Sequence, residues 1–304
     1  MRVGAIDCGT NSIRILIADI DGNNFREIYR GMEIVRLGQG VDKTGEFHPD
    51  AIERTLKAVE KISNELRTRG IQKVRFVATS ATRDATNREL FLNGVHERLG
   101  IYPEVITGDE EAALSFQGAS RELSAAEGPF LVVDIGGGST EFVFGHSAVE
   151  AAKSVNIGCV RISERHFHSD PPTSDEIARA SLDIDAAIAE AGRQVPIKEA
   201  KTLIAVAGTA TTVAAAALGL SEYDPRLIHL ARIPALKVHE ISKIFMTMAQ
   251  VERAAQPYMH EGRVDVIAAG ALVLSKILRT TGAQEFVASE ADILDGMAWS
   301  LAKS

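Results

Sequence analysis

Apolar and polar positions follow the same order of periods in the two halves of the chain. The first half opens with three strand-like runs, residues 2–8, IRILIADI and FREIYRGMEIVRL, joined by short loops. Apolar residues then recur at helical spacing from Pro49 to Gly70, and strand-like and helical segments alternate from there to Ser120. This alternation predicts an α/β fold.

The second half repeats the scheme with FLVVDI, a glycine loop, EFVFG and AVEAAKSVNI. A helix around 174–193, the strand TLIAVA and further helices up to the C-terminus follow. Aligning Asp7 with Asp134 sets AIDCGTNSIRILIA against VVDIGGGSTEFVFG, so strand, Asp-x-Gly loop and returning strand occur twice. Two unrelated hairpins would explain Asp-x-Gly alone, but the matching strand order favours duplication. We predict two similar lobes, residues 1–125 and 126–292.

Charge and composition limit the classes of ligand and metal site that this chain is expected to have. Its 304 residues are 45% hydrophobic and carry a formal net charge of -8, which argues against broad binding of nucleic acid. A polyanionic ligand would therefore need a local basic patch or a bridging cation. The two cysteines, Cys8 and Cys159, lie in no Cys-x-x-Cys or Cys/His cluster, so we expect neither a disulfide framework nor structural zinc.

One uncharged segment, residues 202–221, is long enough to cross a bilayer. Its threonines, glycines and many alanines fit a buried strand, a Gly-Thr turn and an Ala-rich buried helix better than a membrane span. The apolar run after Met1 is too short, and Asp7 comes too early, for a signal peptide. We expect a cytoplasmic protein that does not bind membranes.

Two loops rich in Gly, Ser and Thr, each at the end of a strand that carries an acid, favour phosphate binding. Main-chain N–H groups and hydroxyls bind anionic oxygens, while carboxylates hold a hard cation such as Mg²⁺. The turn in VAGTATT, before a predicted helix, is a third and weaker element of this kind. The candidate phosphate-binding residues are Gly9, Thr10, Asn11, Ser12, Gly136, Gly137, Gly138, Ser139, Thr140, Gly208 and Thr209.

These loops belong to a larger set of motifs, AIDCGTNSIRILIA, ATSATRDA, TGDEEAALSFQG, VVDIGGGSTEF, VAGTATT and RVDVIAAGALVL. In order and spacing the set resembles the exopolyphosphatase and guanosine pentaphosphate phosphatase family of the actin-like ATPase superfamily, over nearly the whole chain. The resemblance implies two actin-like (ribonuclease H-like) lobes with mixed sheets and a cleft between them. It also implies that a C-terminal helix, residues 293–304, packs back on the first lobe, and that the chain forms a homodimer.

The resemblance further implies Mg²⁺-dependent hydrolysis of the terminal phosphoanhydride of inorganic polyphosphate. Glu111 matches the family's catalytic base, whereas Glu110 is explained as an acid at a helix N-terminus. Arg83 matches the phosphate-binding arginine, although a surface pair with Asp84 or Asp109 would also explain it. The acids of the loops, Asp7, Asp134 and Glu141, are assigned to the metal.

Several alternatives stay open at this stage. The substrate could instead be guanosine pentaphosphate, and the nearest rivals of another class are an ATP-dependent small-molecule kinase and a nucleotide-gated actin-like protein. Longer family members continue into a helical domain similar to metal-dependent phosphohydrolases, so their preference for long chains does not transfer. Arg161 and Arg165, four apart on a predicted helix, are compatible with a solvated basic face or with a path for polyphosphate.

Overall fold

A computed structural model describes residues 1–303 of the chain; Ser304, the last residue of the predicted C-terminal helix, lies outside the described residues. The chain divides into two compact units. The first comprises Met1–Gly118 together with the segment from Ile293 onward, and the second comprises Ala119–Asp292. The junction predicted from the sequence, between residues 125 and 126, lies seven residues further along the chain than this division.

The first unit is built on a mixed five-stranded sheet. Its strands are β1 (Arg2–Cys8), β2 (Ser12–Asp21), β3 (Asn24–Ile34), β4 (Lys73–Ala78) and β5 (Glu104–Val105). The spatial order is β3-β2-β1-β4-β5, with β1, β2 and β3 antiparallel in sequence and β4 and β5 parallel to β1. The three opening strands predicted from the sequence are therefore present, and the short loops between them make them antiparallel.

Five helices follow the strands of this unit. They are α1 (Val41–Thr44), α2 (Pro49–Thr68), α3 (Ser80–Asp84), α4 (Glu89–Leu99) and α5 (Gly108–Ser120). Helix α2 begins where a proline takes the first helical position and the His48 ring accepts a hydrogen bond from the N–H of Asp50. Its apolar positions recur on one face, and Val59, Ile62 and Leu66 of that face are buried in the core on the sheet.

The second unit contains a six-stranded mixed sheet in the order β10-β11-β9-β6-β7-β8. Its strands are β6 (Phe130–Ile135), β7 (Thr140–Gly145), β8 (Val149–Val155), β9 (Thr202–Val206), β10 (Arg232–Pro234) and β11 (Glu285–Ala288). Its helices are α6 (Cys159–His166), α7 (Ser174–Gly192), α8 (Ala207–Leu218), α9 (Pro225–Ile228), α10 (Ala235–Thr247), α11 (Gln250–Ala254) and α12 (Ile267–Thr281), with 3-10 turns at Ala125–Glu127 and Glu261–Arg263.

The expectation of helices only after TLIAVA is wrong, because β10 and β11 lie within that region. Both strands are short, and β10 includes Pro234 at the edge of the sheet, so neither produces an apolar run that periodicity could detect. Strand β11 nevertheless completes the sheet: it pairs in parallel with β9 and extends the row of parallel strands beside β6.

The last helix, α13 (Ile293–Lys303), belongs to the first unit. It packs on the face of the sheet formed by β1 and β2, where Leu294, Met297 and Trp299 join Val3 and Leu16 in one apolar cluster. Helix α13 covers this face of the sheet and α2 covers the opposite face. Because both faces are buried, the sequences of β1 and β2 are nearly continuously apolar.

Candidate active site

Three parallel strands of the first unit end at the same edge of its sheet and bring the candidate residues there. Strand β1 is followed by the loop 9–12, β4 by α3 with Arg83, and β5 by α5 with Glu111. In open α/β sheets the carboxyl ends of parallel strands are where ligands bind. The expected catalytic and phosphate-binding residues of this unit are therefore assembled by strand direction rather than by sequence proximity.

The loop 9–12 is fixed by main-chain hydrogen bonds. Gly9 N donates to the carbonyl of Ser12 at 3.0 Å, and the carbonyl of Thr10 accepts from Gly38 N at 2.9 Å. Because the C=O and N–H of one trans peptide point in opposite directions, the N–H of Asn11 is directed away from Gly38. The Thr10 hydroxyl is buried and has no hydrogen-bond partner among the described residues. Such a group is suited to an anionic ligand.

Asp7, which the family resemblance assigns to metal binding, has a cationic neighbour. It lies opposite Arg14 in the register of β1 and β2, and the Arg14 Nη2 is 2.6 Å from Asp7 Oδ2. The guanidinium already offsets part of the carboxylate's charge. A cation at Asp7 would therefore bind beside Arg14 or displace it from Oδ2.

Arg83 and Glu111, the two expected catalytic residues, form an ion pair. Arg83 Nη1 donates to Glu111 Oε2 at 2.8 Å and to the carbonyl of Ile106 at 3.0 Å. Glu111 is buried in the first turn of α5, whereas Arg83 keeps 23% of its side chain exposed. The partner of Arg83 is thus Glu111 rather than Asp84 or Asp109, the two surface partners considered from the sequence.

Glu110, next to Glu111, has a different environment. Its side chain is 44% exposed and lies 2.5 Å from Arg75, which also pairs with Glu104 at 2.7 Å. This is a surface ion-pair cluster at a helix N-terminus, which agrees with the explanation of Glu110 as an acid at the start of a helix. Two adjacent glutamates therefore differ in burial and in partner.

The glycine loop of the second unit has its three glycine carbonyls, of residues 136–138, bound from one side. Helix α6 supplies the donors: Cys159 N binds the carbonyl of Gly136 at 2.9 Å, Val160 N binds that of Gly137 at 2.9 Å, and Arg161 Nε binds that of Gly138 at 2.7 Å. Each of these carbonyls shares a trans peptide with the N–H of the following residue, and that N–H must therefore point away from α6. Three successive N–H groups, at residues 137–139, face the same side, which is the arrangement of an anion-binding nest.

The duplication inferred from the sequence extends to hydrogen bonds in this loop. Gly136 N donates to the carbonyl of Ser139 at 3.0 Å, the counterpart of the bond from Gly9 to Ser12. Thr140 differs from the other expected phosphate ligands, because its buried hydroxyl donates to the carbonyl of Ile157. That hydroxyl proton supports the loop from inside.

The two units carry opposite charges at one equivalent position. Asp134 lies opposite Glu141 in the register of β6 and β7, where Asp7 of the first unit lies opposite Arg14. Asp134 and Glu141 are both buried, and Ser154 Oγ donates to Glu141 Oε1 at 2.7 Å. Like charges opposite each other across two strands are unfavourable, and a bound cation offsets that repulsion.

The chemistry of this carboxylate pair fits Mg²⁺. Among residues 1–303 no group of three or more His, Cys, Asp or Glu side chains is placed to hold a metal ion. A cation at Asp134 and Glu141 would consequently take further ligands from water and substrate oxygens. Mg²⁺ is commonly bound in that way, through one or two carboxylates and phosphate.

The third loop, at the start of α8, contains one left-handed residue and one close approach. Ala207 has φ 63°, a left-handed conformation that is uncommon for alanine. A Cβ built on Gly208 would lie 1.4 Å from Nη1 of Arg263, so only glycine lets that guanidinium lie against the backbone here. Thr209 is buried.

Neither cysteine is suited to nucleophilic chemistry, although both lie next to the loops. Burial raises the pKa of the Cys8 thiol well above its usual range, and the nearby Asp7 raises it further. Burial also raises the pKa of Cys159. Both side chains therefore stay protonated at neutral pH.

Sequence reasoning missed the residues that support the loops. Gly158 is one of them: a Cβ there would lie 2.3 Å from the carbonyl of Gly137, so α6 can approach the loop only through glycine. Arg14 could have been found from register, because the four-residue loop 9–12 sets Ile13 opposite Cys8 and therefore Arg14 opposite Asp7. The contact of Arg161 with Gly138 had no local signal.

Comparison with known proteins identifies the family of this chain. The family model described as the Ppx/GppA phosphatase family matches residues 16–304. The chain belongs to the Ppx/GppA phosphatase family. It is similar to Exopolyphosphatase 2 of Mycobacterium tuberculosis, with 46% identity over 99% of this chain and 98% of that protein.

Solved structures of this family have the same fold. A crystal structure of an exopolyphosphatase-like protein is 42% identical, with a TM-score of 0.96 over 99% of this chain and 97% of that one. The PPX-GPPA enzyme of Aquifex aeolicus is 31% identical, with a TM-score of 0.82 over 99% of each chain. The predicted fold class, two mixed α/β sheets of the actin-like type, is confirmed.

No helix within residues 1–303 has both the length and the apolar character that a membrane span requires. The uncharged segment 202–221 instead forms the buried strand β9 and the helix α8, as its composition indicated.

Proposed function

We propose that this chain is an exopolyphosphatase, which hydrolyses the terminal phosphoanhydride of inorganic polyphosphate and releases orthophosphate. The observation that carries the proposal is the orientation of the glycine loop, in which the carbonyls of residues 136–138 are all bound by α6. The N–H groups that follow them present a row of donors suited to a phosphate group with several anionic oxygens. The name of the 46% identical relative, Exopolyphosphatase 2, supports this substrate.

Glu111 and Arg83 supply the chemistry of the first unit. Glu111 orients a water molecule and accepts its proton as the water oxygen bonds to the terminal phosphorus, while the bridging P–O bond breaks and the shortened chain leaves. Arg83 uses only Nη1 for Glu111 and for Ile106, so the planar guanidinium has further N–H donors for phosphate oxygens. Phosphoryl transfer depends mostly on such positioning and on charge neutralisation.

Magnesium is part of the proposal, with Asp134 and Glu141 as the residues that would hold it. Bound there, Mg²⁺ supplies charge neutralisation for the phosphate oxygens. The need for it follows from charge, because a polyanion approaches a protein of net charge -8 whose buried acids lie beside the loops. Asp7 would contribute less, since Arg14 already contacts its carboxylate.

Guanosine pentaphosphate is the second candidate substrate, because its terminal phosphoanhydride presents the same bond and because the sequence motifs resemble a family that includes guanosine pentaphosphate phosphatases. A homodimer and a cytoplasmic location are also proposed. Light scattering of the purified chain measures the first of these, and a single-chain mass would contradict it.

The function is tested by measuring orthophosphate release with Mg²⁺ on long polyphosphate, tripolyphosphate, guanosine pentaphosphate and ATP side by side. We expect the highest kcat/KM on polyphosphate and loss of release in excess chelator. A chain that releases phosphate from ATP alone, or that transfers it to an added small-molecule acceptor, would contradict the proposal and favour a nucleotide switch or a kinase.

A further inference from the structure

Helix α6 supports the glycine loop through its first turn and one side chain. Its main-chain donors, Cys159 N and Val160 N, would bind the loop whatever side chains those positions carried. The last carbonyl, of Gly138, is bound instead by the Nε of Arg161 at 2.7 Å. One of three loop peptides thus depends on the identity of a side chain.

Arg161 is placed for that contact and not for a basic surface. The residue is buried, whereas Arg165 on the next turn is about one third exposed and pairs with Asp183 at 3.1 Å. Two arginines that appeared equivalent in the sequence therefore have different partners. A hydrogen bond from a charged guanidinium is about twice as strong as one between neutral groups, so Arg161 is an effective anchor for a carbonyl.

We propose that Arg161 is a positioning residue for the phosphate site, a role that rests on the proposed function. By holding the carbonyl of Gly138, it fixes the Gly138–Ser139 peptide so that the N–H of Ser139 faces the substrate side. Without this anchor the peptide can rotate and present its carbonyl, which repels a phosphate oxygen. Glycine at 138 offers little resistance to that rotation.

The test compares Arg161→Met, Arg161→Lys and the matched control Arg165→Gln, which alters the same helix without touching the loop. Three quantities are measured on each: kcat/KM on polyphosphate, the Kd of orthophosphate by calorimetry, and the melting temperature. Complete removal of one donor to a developing oxyanion costs about 10²–10³ in kcat, so Arg161→Met should lose about 10- to 100-fold in kcat/KM. Orthophosphate should bind several-fold more weakly.

The kcat/KM of Arg161→Lys should fall between those of wild type and Arg161→Met, because the lysine ammonium keeps the charge but lacks the planar guanidinium whose Nε binds the carbonyl of Gly138. Unchanged kcat/KM and Kd in a folded Arg161→Met chain would overturn the inference, as would equal losses in Arg165→Gln. If Arg161→Met does not fold, wild-type values in folded Arg161→Lys would also overturn it. A wild-type chain that binds orthophosphate without hydrolysing polyphosphate would refute the proposed function, and the Kd values alone would then decide the role of Arg161.

Discussion

Replacing Glu111 by Gln removes a carboxylate charge with little change in shape. The amide oxygen can still accept the 2.8 Å hydrogen bond from Arg83, whose Nη1 is also bound to the carbonyl of Ile106. Arg83 should therefore stay in position, and the buried side chain keeps its volume. What the variant loses is the ability to take a proton from water.

General-base catalysis typically contributes about 10²- to 10⁴-fold in rate, which is about 3–5 kcal/mol of activation free energy. We expect kcat of Glu111→Gln to fall by that range, with KM for polyphosphate little changed. Glu110→Gln is the matched control, since it makes the same substitution one residue earlier in the same turn. It removes one exposed partner of Arg75, which retains Glu104, and an exposed ion pair is worth about 0–1 kcal/mol of stability.

The assay is steady-state orthophosphate release from polyphosphate by wild type and both variants, with melting temperatures to show that each chain is folded. A tenfold or smaller loss in Glu111→Gln, or equal losses in the two variants, would mean that Glu111 is not the base. A loss confined to Glu110→Gln would transfer the role to its neighbour.

Three further predictions concern the loops and acid stability. Asp134→Asn should raise the Mg²⁺ concentration needed for half-maximal activity and weaken Mg²⁺ binding measured by calorimetry; unchanged binding would contradict the assignment of the metal. Gly158→Ala should abolish most activity and lower the melting temperature, because its Cβ would lie 2.3 Å from the loop backbone, whereas Gly192→Ala, whose nearest contact at 3.3 Å is the terminal methyl of Ile197, should keep wild-type activity. Hydrogen bonds from the main chain, first that of Thr173, lower the pKa of Glu176 to about 2, so its stabilising contribution is present above pH 4.5 and is lost as the pH falls toward 2. Glu176→Gln should therefore give a flatter dependence of melting temperature on pH in this window, and an unchanged slope would refute it.

The sequence contained most of the fold because strand order, loop chemistry and helix periodicity all agreed. Strand β1, its Asp-x-Gly loop and β2 could be recognised twice, since each half carries a continuous apolar run on both sides of the loop. Strands β10 and β11 could not, because a strand of three or four residues gains its stability from neighbours that are distant in sequence.

The site was predictable where chemistry is local and unpredictable where it depends on packing. The composition of Gly136 to Ser139 predicts a phosphate loop, and the motif around Glu111 resembles the family's motif within a few residues. The direction of the loop's N–H groups depends on α6, which starts about twenty residues later and contacts the loop only because residue 158 lacks a side chain. Arg14 and Glu141 have opposite charges at equivalent positions, each across the sheet from the aspartate of its loop. This equivalence is visible only from the cross-strand register, which motif comparison does not consider.

The most direct test of hydrolysis at the chain end is ³¹P NMR of polyphosphate digested by this chain in ¹⁸O-labelled water. Terminal, internal and free phosphate give separate signals, and an ¹⁸O atom shifts the signal of the phosphorus that carries it. We predict that orthophosphate containing one ¹⁸O appears from the first turnover while the ratio of terminal to internal signals rises only slowly. A rapid rise of terminal signals without orthophosphate, or release of orthophosphate that carries no ¹⁸O, would contradict attack of water on the terminal phosphate.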